Sequence, residues 1–148
     1  MAKKEEIWCN TKGIDFSVSS TENKFYIGDP CYALKDELYE GVWGAKDYRS
    51  GNIKDRKGNT VLLVDNTAYG DGLYPGGFAV DAGALAVVPW EYCNPDSTDL
   101  RWGRVISVKP GTKMRLVTYG KYTNSPGKFV WKYTDPEGKR RQITTTTF

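Results

Sequence analysis

The longest apolar stretch of the chain runs from Phe78 to Val88, between Gly77 and Pro89. Neither flanking residue easily continues regular structure. A run of this length predicts a strand buried on both faces, with a bend at Gly83. Asp81 is the one charge inside it, and a carboxylate placed in a core needs partners. Shorter patterns surround this run. Lys24-Phe-Tyr-Ile27 predicts a strand that ends at Gly28-Asp-Pro30, and Val61-Leu-Leu-Val64 predicts a buried strand followed by a loop from Asp65 to Gly77. Leu34, Leu38 and Val42 recur at i, i+4 and i+8, which predicts one or two helical turns near residues 32–42, stopped at Gly41. The charged segment from Lys46 to Thr60 reads as a hairpin tip or a loop.

Two hairpins are predicted in the C-terminal third. Arg104–Lys109 and Met114–Tyr119 flank Pro110-Gly111, and Phe129–Thr134 and Lys139–Phe148 flank Asp135-Pro-Glu-Gly138. The Thr144–Thr147 run favours a strand and suits a sheet edge. The expected fold is mostly β: a single domain over residues 1–148, built as a β-sandwich or a partly open barrel with one short helix. Sixteen glycines and ten tyrosines in 148 residues fit many turns and aromatic strands.

Charge changes the picture. Residues 1–100 carry 10 Lys and Arg against 16 Asp and Glu, a net of −6, whereas residues 101–148 carry 11 against 2, a net of +9. A basic third points to an anionic partner, or to pairing with the acidic remainder. The three cysteines, Cys9, Cys31 and Cys93, are widely spaced, as expected of free thiols in a cytoplasmic protein. Neither a signal peptide nor a membrane span is expected.

The chain has no histidine. Serine–histidine or cysteine–histidine catalysis is thereby excluded, along with the commonest zinc sites. Phosphate-loop and dinucleotide motifs are also missing. The expectation is a protein that is not an enzyme and carries no cofactor or metal. One catalytic alternative remains: Asp29, Asp71 and Asp81 could converge on Mg²⁺ or Ca²⁺, or act as an acid/base pair. The competing reading is structural: Asp29 and Asp71 bond to backbone amides of their turns, and Asp81, like Asp29 a structural polar residue, is satisfied by neighbouring amides or a single cation. Cys31 is expected near a helix start, where a thiolate is favoured; the alternative is a small buried apolar residue.

Alternation in the last hairpin puts Phe129, Trp131 and Tyr133 on one face. An ideal turn at 135–138 sets Tyr133 opposite Arg140 and Lys132 opposite Arg141, whereas a bulge at Gly138 shifts the register by one. Cations beside aromatic rings suit nucleotide or single-strand binding. Arg101, Trp102, Arg104, Arg115, Tyr119 and Tyr122 extend the mixture. The competing reading buries the rings and leaves the cations solvated. Tyr32, Trp43, Arg104, Arg115, Trp131, Tyr133 and Arg140 are the candidate ligand-binding residues.

Asp29-Pro-Cys-Tyr32, Trp43 and Val80-Asp-Ala-Gly83 form a further pattern. It resembles a family of small phage and prophage proteins, which carry an Asp-Pro-Cys-Tyr segment, a following Trp and a Val-Asp-Ser/Ala-Gly segment before an apolar strand. The resemblance spans about residues 25–95. It implies a phage-type origin, a compact β-rich domain and a role against host defence in the host cytoplasm. Such a role is met by sequestering a cyclic or adenine-based nucleotide signal, or by blocking a defence protein. The expected partner is therefore an anionic, nucleotide-like small molecule, bound by a monomer or between subunits of a homo-oligomer, with nucleic acid as a variant. A virion or protein-interaction component is the alternative.

Overall fold

The computed structural model describes residues 12–119 and 127–146. Of these residues 49% are in strands and 16% in helical turns, so the fold is mostly β. The strands are β1 (Lys12–Ser19), β2 (Lys24–Gly28), β3 (Gly51–Lys54), β4 (Thr60–Asn66), β5 (Gly72–Tyr74), β6 (Phe78–Val80), β7 (Ala84–Pro89), β8 (Arg104–Ser107), β9 (Lys113–Tyr119), β10 (Lys128–Thr134) and β11 (Arg140–Thr146). They form a four-stranded sheet in the order β1-β9-β10-β11, a five-stranded sheet in the order β3-β4-β7-β2-β8, and the small β5–β6 hairpin. All described pairings are antiparallel. The sheets do not close into a barrel, and the arrangement is that of a sandwich.

Both faces of the five-stranded sheet are covered, which explains its continuous apolar strands. On β7, Leu85 and Val87 join the core that also holds Leu116 and Trp131 of the four-stranded sheet. Ala84, Ala86 and Val88 join a second core under the helical turns, with Trp43 and Leu34. In the first core Phe78 stacks on Trp131 with ring centroids 5.1 Å apart, a contact worth about 0.5–1.5 kcal/mol beyond burial. The Trp131 Nε1–H is buried and has no hydrogen-bond partner among the described residues.

The long apolar run is two strands. It breaks at Asp81-Ala82-Gly83, where Gly83 adopts φ +67°. The N–H groups of Asp81 and Ala82 leave the ladder and donate to the Asp29 carboxylate at 2.8 and 2.7 Å. The Asp81 side chain is consequently exposed, contrary to the expectation of a buried charge. The predicted helix is a chain of single turns: 3₁₀ at Pro30–Tyr32, α at Asp36–Leu38, a wide π turn at Tyr39–Trp43 and 3₁₀ again at Gly44–Lys46. Gly41 does not stop it. The wide turn carries Trp43 into the second core, where its indole N–H donates to the Arg49 carbonyl at 2.9 Å.

The first predicted hairpin is not one. β8 pairs with β2 and β9 pairs with β1 and β10, so the Pro110-Gly111 link crosses between sheets. A polar link also joins the sheets: the Thr118 hydroxyl donates to Asp65 of β4 at 2.6 Å and accepts the Ile14 N–H of β1 at 2.9 Å. Among the described residues, no helix is long and apolar enough to cross a membrane.

Candidate functional site

Strand alternation builds the candidate site on the outer face of the four-stranded sheet. On β9, Met114 and Leu116 point into the core while Lys113 and Arg115 point out; on β10, Phe129 and Trp131 point in while Lys132 points out. Register then places Ser17, Arg115, Lys132 and Gln142 in one row across all four strands. Arg115 lies directly opposite Lys132, a like-charge pairing that costs free energy unless an anion relieves it. Lys113, Tyr133, Arg140 and Arg141 complete the wall of a hollow of about 560 Å³. Among the described residues, five cations line it and no carboxylate does.

Two of the guanidinium groups are held from the side. Asp15 accepts from Arg115 Nε at 2.8 Å and Nη2 at 2.7 Å, and from Lys12 at 2.6 Å. The Arg115 bonds, followed by the Lys12 bond, hold the Asp15 carboxyl well below the usual range. Asp135 accepts from Arg141 Nε at 2.8 Å, and that bond is the main cause of its lowered pKa. Lys113, Lys132 and Arg140 have no ion-pair partner among the described residues.

The candidate residues named from the sequence do not converge on one place. Arg115, Tyr133 and Arg140 meet in the hollow. Trp131 lies beneath it with no exposed surface, and Trp43 is 2% exposed in the other core. Neither ring can stack on a ligand. Arg104 lies on β8, its guanidinium 4.6 Å above the Phe78 ring and bonded to the carbonyls of Gly76 and Gly103. Arg101 caps the half-exposed Trp102 ring at 5.1 Å. Tyr119 ends β9, and Tyr122 lies outside the described residues. Lys113 and Lys132 were not among those candidates. Lys113 reads as part of a turn in sequence but opens β9, and the alternation of β9 and β10 is the signal that locates both.

The Asp-Pro-Cys-Tyr and Val-Asp-Ala-Gly segments do come together. Asp29 is fully buried. Its Oδ1 accepts the Cys31 N–H at 2.8 Å and its Oδ2 accepts the Asp81 and Ala82 N–H groups. Asp29 thus clamps the 3₁₀ turn that carries Tyr32 to the β6–β7 break. No family model matches the chain, and neither a curated protein nor a solved structure matches it. The functional reading therefore rests on geometry.

Asp71 and Asp81 are exposed, and among the described residues no three His, Cys, Asp or Glu side chains stand close enough to hold a metal ion. Cys31 is exposed at the helical start. Loss of water around its sulfur, then the Asp29 charge and hydrogen bond, then Asp81 and Asp71, push its thiol up. This is the reverse of thiolate activation. Tyr32 is pushed up to about 12, chiefly by burial and then by Cys31 and Asp81.

Proposed function

We propose that the chain is a non-catalytic binding protein for a phosphate-bearing small molecule, with the basic hollow as its receptacle. The observation that carries this reading is the gathering of Lys113, Lys132 and Arg140, without ion-pair partners among the described residues, beside two guanidinium groups held by Asp15 and Asp135. A cluster of cations on one sheet face costs free energy in the empty protein, and a bound anion removes that cost. Tyr133 borders the hollow, but it alternates with Lys132 and packs against the core on the side of Trp131, so the reading rests on the cations and not on ring stacking. The phage-type resemblance suggests a use: sequestering a nucleotide signal of host defence, which needs affinity and no turnover.

The test is isothermal titration calorimetry with cyclic di- and trinucleotides, nucleoside and sugar phosphates, and inorganic pyrophosphate. At least one is expected to bind at micromolar Kd or tighter, and Lys132→Glu is expected to weaken it at least tenfold. The recovered ligand should be chemically unchanged. Absence of both heat and thermal shift across the panel overturns the reading. One feature favours a second reading as an assembly component: β11 is a sheet edge among the described strands, and an edge accepts a partner strand.

A further inference from the structure

A second hollow of about 330 Å³ adjoins the basic one and shares Ser17 and Lys113 with it. Its wall has a different chemistry. Ser19, Asn59 and Thr60 supply hydroxyl and amide groups, Tyr92 supplies a phenol, and Glu91 supplies a carboxylate. Glu91 is fixed in place: its Oε1 accepts the Ser20 hydroxyl at 2.6 Å and its Oε2 accepts the Thr21 N–H at 2.9 Å. Burial pushes the Glu91 carboxyl up, but these bonds outweigh it and hold the group below its ordinary value. A fixed carboxylate repels phosphate and accepts from O–H or N–H donors.

The two hollows therefore sort the two ends of a ligand. Resting on the anion-binding reading above, we infer that the ligand is a phosphate ester of a sugar or nucleoside. Its phosphate lies against Lys113 and Lys132, and its neutral, hydroxyl-bearing part crosses Ser17 to reach Glu91 and Tyr92. Each hollow falls within the roughly 300–1,000 Å³ usual for small-molecule sites. A bare polyphosphate would fill only the basic half.

The inference is tested by calorimetry on the full chain with inorganic pyrophosphate, ribose 5-phosphate and cyclic di-adenosine monophosphate. The tighter of the two esters is expected to bind at least tenfold more strongly than pyrophosphate. Ser19→Trp plugs the neutral hollow from an exposed strand end. It should weaken that ester at least tenfold and change pyrophosphate by less than twofold. Asn59→Trp, also at an exposed position, should do the same from another wall, so one misfolded variant does not decide the matter. Pyrophosphate binding as tightly as both esters overturns this inference and leaves the anion-binding reading standing. So does an ester affinity unmoved by both plugs. Silence from all three probes overturns the anion-binding reading, and this inference with it.

Discussion

A single carboxylate, Asp29, holds two distant segments by three N–H bonds. Asp29→Asn replaces one acceptor with a donor that faces amide hydrogens. The expected loss of stability is about 2–3 kcal/mol, measured by urea unfolding. Asp71→Asn and Asp81→Asn, at exposed positions, should stay within about 0.5 kcal/mol. Cys31 gives a second contrast. Its pKa is raised, so less thiolate forms at a given pH, and iodoacetamide should react with Cys31 at pH 8 more slowly than with free cysteine. Removing the Asp71 and Asp81 charges together should speed that reaction. The local half of the clamp was legible, because Asp before Pro announces a turn. The long-range half was not, since nothing in residues 25–32 names the amides of 81 and 82. Asp65 was missed for a related reason: its partner Thr118 lies 53 residues away on another sheet.

At the scale of elements, the second hairpin decides how the basic hollow is built. Gly138 sits at φ +87° in the β10–β11 turn, and Asp135 Oδ1 accepts the N–H groups of Glu137 and Lys139 at 3.0 and 2.8 Å. The extra turn residue sets Tyr133 opposite Arg141 and Lys132 opposite Gln142, the bulged register rather than the ideal one. Gly138→Ala should cost about 1 kcal/mol, read as a lower unfolding midpoint. The turn chemistry of Asp-Pro-Glu-Gly was visible in the sequence, and so was the choice between two registers. The β8–β9 hairpin was misread because strand–turn–strand chemistry is the same whether the second strand folds back or crosses to another sheet. The β1–β9 pair carries a pH signature. The folded-state pKa of Asp15 is depressed, so its pair with Arg115 contributes fully above about pH 4, the usual carboxylate value, and loses its contribution as pH falls below it. The pair is exposed enough that the contribution is about 0.2–1 kcal/mol. Asp15→Asn should flatten the acid limb of stability against pH by that amount.

For the whole molecule, the charge asymmetry between residues 1–100 and 101–148 was plain in the sequence. Its placement was not, because only register tells which cations share a face. Among the described residues, strands β9, β10 and β11 supply every cation of the hollow, while Asp15 on β1 supplies a counter-charge to Arg115. The hollow has no histidine and so no side chain of a type that titrates near neutrality. Affinity for a phosphodiester is therefore expected to stay flat from pH 7 to 9. It should fall several-fold as NaCl rises from about 50 to 500 mM, as screening demands. Both are read from Kd by calorimetry.

The buried indole of Trp131 gives the basic face a built-in optical reporter. It is fully buried and stacks on Phe78 and Phe129, and its N–H has no partner among the described residues. Such a chromophore emits toward the blue, apart from any tryptophan in contact with water. Peptide geometry ties it to the next residue, Lys132, on the opposite side of the same strand. Whatever draws Lys132 outward tugs on the neighbouring chromophore, so occupancy of the face should be readable as a change in emission without any attached dye.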